Sequence, residues 1–425
     1  MNGAESLVRT LLAGDVDVCF TNPGTSEMHF CAALDKINGM RCILCLFEGV
    51  VTGAADGYGR MSDKPAGTLL HLGPGLGNGL SNLHNAKKAR TPIVNIVGEH
   101  ATYHIAYDAP LTADVEGIAR PVSDWVRTSV DSKSVASDAA EAIAAARTFP
   151  GAISTLILPA DTAWTDGAGV AEVPVQAGPG AVGEAAVENC AAALCTGEPA
   201  MLLLGGRALR APTLEIAGRI AAHSNAAIRS ELMSARTERG AGRVTVERIP
   251  YVVDQAVKVL EGIRHLILVG AKAPVAFFAY PNKPSLLIPQ NCEIHVLATA
   301  EEDIADGLER LCDSIGAQST SPNLELAKRP DLSSGELTLE ALWAAGFILV
   351  SPTSGYPAPP HGRALGLRGM ASFAKMGNVS DATALTVPFG HFPGGLPRGL
   401  QWLGPPGSER RLIELASRVV RAPVA

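Results

Sequence analysis

Several signals are missing from this 425-residue sequence, and each absence narrows what it can be. No apolar run approaches the ~20 residues that a membrane-spanning helix needs, and Met1–Glu5 has neither the basic start nor the apolar core of a secretory leader. There is no Lys/Arg run and no aromatic–basic stripe, and the net charge of −7 comes from mixed signs. A soluble, cytoplasmic, globular protein is therefore expected, with no nucleic-acid partner and no membrane partner. Eight cysteines are too sparse for a disulfide framework. The single Cys-x-x-Cys, Cys42 and Cys45, lies in an apolar segment and is expected to be a pair of buried thiols. The turns Gly205-Gly206 and Gly270-Ala271-Lys272 lack the full G-x-G-x-x-G spacing of a dinucleotide fingerprint.

What is present is ample core material: 47% of the residues are apolar, enough for two or three domains. The fold class expected is α/β. Residues 1–165 alternate short strands and helices in the pattern of a parallel sheet covered on both faces, closing on a strand within Gly151–Asp161. Residues 166–184 turn rich in Gly, Ala, Pro and Val and read as a linker. A second doubly wound unit, residues 185–330, opens at Ala200–Gly206. It continues through a helix near 211–223 and strands at 226–229, 265–270, 285–288 and 293–297.

The most informative stretch is Phe47-Glu48-Gly49-Val50-Val51-Thr52-Gly53-Ala54-Ala55-Asp56-Gly57-Tyr58, an acid after the apolar run Ile43–Phe47 and before a small-residue helix. Partial desolvation there raises a carboxyl pKa and suits it to hold a proton near neutrality. The other reading is a helix-start carboxylate favoured by the macrodipole. Two neighbours bear on the choice. Asn22-Pro23-Gly24-Thr25-Ser26-Glu27 follows the apolar segment 16–20, and His71-Leu72-Gly73-Pro74-Gly75-Leu76-Gly77-Asn78 follows Gly67–Leu70. Three polar-tipped strand ends describe the carboxyl edge of a parallel sheet, where open α/β domains bind ligands. His71 is either a proton carrier or a strand-end imidazole bonded to a backbone carbonyl. Thr25 is either a substrate contact or a turn hydroxyl. His100 and His104 follow a further apolar strand, Ile93–Val97, with no third ligand at a persuasive spacing, so no metal-ligating residues are assigned.

These residues resemble the thiamine-diphosphate enzymes of the acetolactate synthase, benzoylformate decarboxylase and pyruvate decarboxylase group, over residues 1–330 and most strongly over the first 165. The resemblance implies that Glu48 hydrogen-bonds N1′ of the cofactor aminopyrimidine and promotes C2 deprotonation. It further implies that Pro23, Gly24, Gly75 and Asn78 are cofactor contacts. Thr25 and His71 stand where the benzoylformate decarboxylase branch carries a substrate-contacting hydroxyl and a proton-transfer imidazole. The implied cofactors are thiamine diphosphate with Mg²⁺, and the implied substrate is a 2-oxo acid. The middle domain resembles a Rossmann-like unit that holds flavin or ADP in some relatives; here it is expected to be empty. The small-residue helices after Glu48 and Gly75 suit a homodimer or homotetramer.

The family pattern then fails. Its third domain carries Gly-Asp-Gly and a later Asn that hold Mg²⁺ and the diphosphate, and Gly-Asp-Gly occurs nowhere in this sequence. Residues 331–425 instead resemble a C-terminal piece of an amidase-signature hydrolase, carried by Ile348–Pro360, Asn378–Pro388, Gly395–Gly404 and a final amphipathic helix over 409–420. That family's Ser, cis-Ser and Lys are missing, so amidase chemistry is not expected from Ser351, Thr353 or Ser354. Two classes stay open. One is a lyase or carboligase completed in trans by a diphosphate-binding domain, from a second subunit or a full-length homologue. The other is an inactive remnant or interaction protein.

Overall fold

Apolar strand runs separated by helices fold into two parallel sheets in succession. The structure is a computed structural model that describes residues 1–167, 169–326, 349–352, 383–391, 397–405 and 407–420. The first sheet comprises β1 (Val18–Asn22), β2 (Arg41–Leu44), β3 (Ala66–Leu70), β4 (Ile93–Glu99), β5 (Trp125–Thr128) and β6 (Ile153–Pro159). Their order is β2-β1-β3-β4-β6-β5, all parallel. β3, β4 and β6 are buried along their whole length, as strands covered on both faces must be.

On one face pack α1 (Gly3–Ala13), α2 (Met28–Lys36), α6 (Val135–Ala146) and α7 (Ala160–Trp164), with Leu7, Leu11, Phe30 and Ile143 fully enclosed. The other face is covered by α3 (Glu48–Ser62), α4 (Leu72–Ala89) and α5 (Val115–Ala119) through Val51, Ala55, Leu76 and Leu83. Polar residues inside this sheet are paired: Thr68 donates to Asn95 at 2.8 Å, and Asn95 donates to Thr155 at 3.1 Å. The strand order reverses direction between β1 and β3, which opens a crevice at their carboxyl ends.

The small residues of α3 and α4 serve a purpose inside the chain, whatever a second subunit does. A Cβ on Gly79 would stand 2.8 Å from Thr52 Cγ2, and the Thr52 hydroxyl donates to the Gly79 carbonyl at 3.0 Å. Gly53 faces Asn82, whose amide donates to the Gly49 carbonyl at 2.6 Å. The stretch after β6 is not a free tether. Asp166 bridges Asn2, its carbonyl accepts from Ser132 at 2.7 Å, and Val173 packs against Ile143 beside Gly14.

The second sheet holds β7 (Ala200–Leu204), β8 (Ala227–Ser230), β9 (Glu247–Arg248), β10 (His265–Val269) and β11 (Glu293–Ala298), ordered β11-β10-β7-β8-β9 and all parallel. α8 (Glu184–Cys195), α9 (Ala211–Ser224) and α11 (Ile304–Ser314) cover one face. α10 (Val253–Leu260) and following loops cover the other. The strand expected at 285–288 does not join the sheet: Leu287 is buried in a loop whose link to the neighbouring chain is a single Val275–Leu286 bridge. An apolar run without a paired edge serves as core filling. Both sheets belong to one compact unit, residues 1–326. Asp63 of the first binds Arg210 at 2.8 Å and Arg236 at 3.4 Å, and Arg90 pairs with Glu301.

Residues 327–425 form a second unit. In it β12 (Leu349–Pro352) and β13 (Thr383–His391) flank β14 (Pro397–Gly404), both antiparallel to it, and α12 (Glu409–Val420) packs Leu412 and Ala416 against Trp402. The stretch after Pro352 that includes Thr353 and Ser354 lies outside the described residues. No described helix is long and apolar enough to cross a membrane.

Candidate active site

The crevice between β1 and β3 gathers the residues singled out in the sequence. β1 ends at Asn22, whose side-chain amide donates to the Cys45 carbonyl at 2.8 Å and ties the loop after β1 to the loop after β2. Pro23 and Gly24 then lead into a single 3₁₀ turn, Thr25–Glu27. β2 is shorter than the apolar run suggested: it stops at Leu44, and Glu48 is the first residue of α3. Glu48 is therefore both a helix-start carboxylate, favoured by the positive end of the helix, and a group facing the crevice. It is half-buried, and Asn78 donates to its Oε2 at 3.0 Å.

α4 begins earlier than a Gly-Pro turn would allow, directly after β3. His71 caps it, Leu72 takes a left-handed backbone (φ 48°) while fully buried, and Pro74 sits in the first turn, where its missing N–H costs nothing. Gly75 and Asn78 consequently lie on the helix. A side chain at Gly75 would come within 3.3 Å of Glu48 Oε1 and 3.4 Å of His71 Cβ, so the bare backbone of Gly75 keeps a gap open between the two. Gly24 is equally constrained, because a Cβ there would collide with the His71 ring.

His71 is not bonded to a backbone carbonyl. Its Nδ1 meets Glu27 Oε2 at 2.8 Å, and the same oxygen accepts the Gly24 N–H at 2.7 Å. Glu27 is 2% exposed, and its second oxygen has no hydrogen-bond partner among the described residues. Burial pushes its carboxyl above the usual range, while the Gly24 N–H and His71 pull it part of the way back. With Nδ1 held, Nε2 is the ring nitrogen left for exchange with a bound molecule. Glu27 was not identified from the sequence; its signal is the spacing Gly24-Thr25-Ser26-Glu27, a carboxylate three residues on that reaches back to the first backbone N–H.

Other expected participants fall differently. Thr25 is exposed at the start of the 3₁₀ turn. His100 holds the Pro110 carbonyl at 3.0 Å and lies with its ring tilted against exposed His104 at 5.7 Å, so neither joins the Glu27–His71 pair. Glu99, behind them, is buried and raised by desolvation. Cys45 is buried as expected. Cys42 is exposed, because β2 is the edge strand of the sheet. That edge is apolar and uncovered: Leu44 is 70% exposed and Leu46 94%, with Phe47 and Val50 also exposed beside Glu48.

Comparisons with known proteins bear on the family and the fold. Residues 1–118 match the family model described as thiamine pyrophosphate enzyme, N-terminal TPP binding domain. IlvX of Mycobacterium tuberculosis, provisionally named an acetolactate synthase large subunit, is 52% identical over 80% of this chain and 65% of its own length. The benzoylformate decarboxylase of Pseudomonas aeruginosa is 34% identical over 33% of this chain and 27% of its own. Among solved structures, a 4-hydroxybenzoylformate decarboxylase from Rhodococcus jostii RHA1 shares the fold, with a TM-score of 0.65 at 19% identity over 79% of this chain and 66% of that one. The N-terminal part of the chain is thus similar to the cofactor-binding domain of thiamine pyrophosphate enzymes, and the chain spans 65% of the length of IlvX and 27% of that of the benzoylformate decarboxylase.

Proposed function

We propose that this chain supplies the aminopyrimidine-binding half of a thiamine-diphosphate site that acts on a 2-oxo acid, in the manner of a lyase or carboligase. The observation that carries the reading is the placement of Glu48 and His71 on either side of bare Gly75, at the mouth of the β1/β3 crevice. The residues fit the flat, nitrogen-bearing end of the cofactor. A half-buried carboxylate oriented by Asn78 can share a proton with a ring nitrogen, and Gly24 and Gly75 leave room for a ring to approach. When bound, thiamine diphosphate supplies the carbon nucleophile that such chemistry needs.

The chain's own groups have separate tasks in this reading. Glu48 holds or releases a proton at the aminopyrimidine, and Asn78 fixes its orientation. His71 delivers or accepts a proton at the substrate through Nε2, and Glu27, bonded to Nδ1, sets the ring orientation. Pro23, Gly24 and Thr25 border the ring. The diphosphate and its Mg²⁺ fall to a full-length homologue, since this sequence has no Gly-Asp-Gly and another copy in a homodimer or homotetramer would lack it too. Exposed Leu44, Leu46, Phe47 and Val50 next to Glu48 support a covering partner on that side. In the same reading residues 331–425 are an amidase-like replacement that contributes no nucleophile, and the alternative function is that of an inactive interaction protein.

The test is complementation. A full-length acetolactate-synthase-like relative, disabled at its own equivalent glutamate, is mixed with this chain, and 2-oxo-acid turnover is followed. Restored turnover that disappears with Glu48→Gln, a loss of about 10²–10⁴-fold, and slows with His71→Ala is expected. Restoration that survives Glu48→Gln contradicts the role of Glu48, and no restoration at all favours the interaction protein.

A further inference from the structure

At the amino ends of β10 and β11, opposite the edge that carries ligand loops, three side chains with metal-ligating atoms converge. The parallel register places His265 beside Glu293 and Ile267 beside His295, so the period-two alternation puts His265, Glu293 and His295 on one face of the sheet. His265 Nδ1 lies 3.1 Å from His295 Nε2, and Glu293 Oε2 lies 3.9 Å and 4.0 Å from those two nitrogens. All three donor atoms fall within 4.8 Å of one another. Both imidazoles are largely buried, with 9% and 11% of their side chains exposed, whereas Glu293 is at the surface.

The outer contact of His265 decides which nitrogen is free. Its Nε2 faces Glu198 Oε2 at 3.1 Å, and a carboxylate accepts, so Nε2 carries the proton and Nδ1 presents a lone pair toward His295. A carboxylate behind a histidine whose other nitrogen points at a second histidine and a glutamate is the arrangement that orients imidazole for a metal. Donor atoms around a tetrahedral Zn²⁺ with bonds of ~2.0–2.1 Å lie roughly 3.3 Å apart, close to the histidine pair and within a side-chain rotation for exposed Glu293. Facing the three is a cleft of about 480 Å³ whose far wall includes the small side chains of Ala186 and Ala193 on α8 and of Thr196 just after it.

We propose that His265 Nδ1, His295 Nε2 and Glu293 form a Zn²⁺ site on the second sheet, with Glu198 as the positioning residue behind His265 and water in the fourth position toward the cleft. Zinc is the cation class because two imidazoles and one carboxylate form a borderline donor set, poor for Mg²⁺ and Ca²⁺. The site joins central β10 to edge strand β11, so occupancy pins that edge. It does not depend on the reading of the first sheet.

The untagged chain, stripped of metal and dialysed, is titrated with Zn²⁺ against a chromophoric chelator. One equivalent per chain is expected. Glu293→Gln, an exposed change, should weaken binding at least ten-fold; His295→Gln should abolish it; Glu198→Gln should weaken it about 10–100-fold. Co²⁺ in place of Zn²⁺ should give visible d–d bands without a thiolate charge-transfer band. No uptake of zinc, uptake unchanged by Glu293→Gln, or a thiolate band pointing to the cysteines each overturns the proposal. Should His295→Gln not fold, Glu293→Gln and the Co²⁺ spectrum decide it.

Discussion

The two parallel sheets of this chain each hold a glutamate at the carboxyl edge, Glu27 buried and Glu231 partly buried, and the two are treated differently. Glu27, after β1, gives one oxygen to the Gly24 N–H and the His71 ring. Glu231, after β8, has its oxygen 2.8 Å from the Cβ position of Gly205 and draws stabilisation mainly from the Gly206 N–H, with Lys272 and Arg90 as more distant charges. Burial lifts Glu231 to about 7, at the rim of a largely apolar cleft of about 300 Å³ lined also by Tyr251, Lys272 and Phe277. Glu27 is hydrogen-bonded to an imidazole that borders the gap at Gly75. Glu231 is also raised by desolvation, and among the described residues it has no imidazole against it. The same architecture thus sets a buried carboxyl against an imidazole in one sheet and, in the other, holds an acid whose ionisation opposes folding.

The largest expected effect that sharpens this contrast comes from Gly98→Ala. A Cβ on Gly98 would occupy the space of Glu27 Oε1, so the Glu27–His71 pair must be displaced. A loss of about 3 kcal/mol or more is expected in the midpoint of denaturant unfolding. Wild-type stability in Gly98→Ala would mean that Glu27 is not held where the pair requires it.

Next comes the pH dependence of Glu231→Gln. A carboxyl whose pKa is raised on folding destabilises the fold once it ionises, so its cost is absent below the unfolded value of about 4.5, grows with pH, and is complete above about 7. Glu231→Gln should therefore match the wild type near pH 4 and be more stable by about 2–3 kcal/mol at pH 8, in unfolding midpoints taken across that range. Glu27→Gln should show a smaller difference of the same sign, because the Gly24 N–H and His71 offset part of the burial. Equal pH profiles for the two variants would erase the contrast.

Much of the first sheet could be read in advance because its information is local. Apolar runs mark β1, β3 and β4, and Asn22–Gly24, Glu48 and His71–Asn78 stand at their ends in sequence order. Glu27 escaped because its partner, His71, is 44 residues away and only the packing of β1 beside β3 brings them together. The same limit hid His265, Glu293 and His295. Nothing in their spacing resembles a metal motif until the register of β10 and β11 aligns them. Leu286-Leu287 misled in the opposite direction, since an apolar run fills a core equally well from a loop. Cys42 was misjudged for want of strand order: β2 is at the edge, so Arg41, Cys42 and Leu44 all meet solvent.

The central claim is that this chain grips the aminopyrimidine end of the cofactor through Glu48 and leaves the diphosphate to a partner. Calorimetric titration of the purified chain with thiamine diphosphate plus Mg²⁺, and with thiamine as the diphosphate-free control, tests it most directly. Weak binding of comparable strength for both, indifferent to Mg²⁺ and lost in Glu48→Gln, is the result expected. Micromolar, Mg²⁺-dependent binding of thiamine diphosphate that survives Glu48→Gln would contradict it.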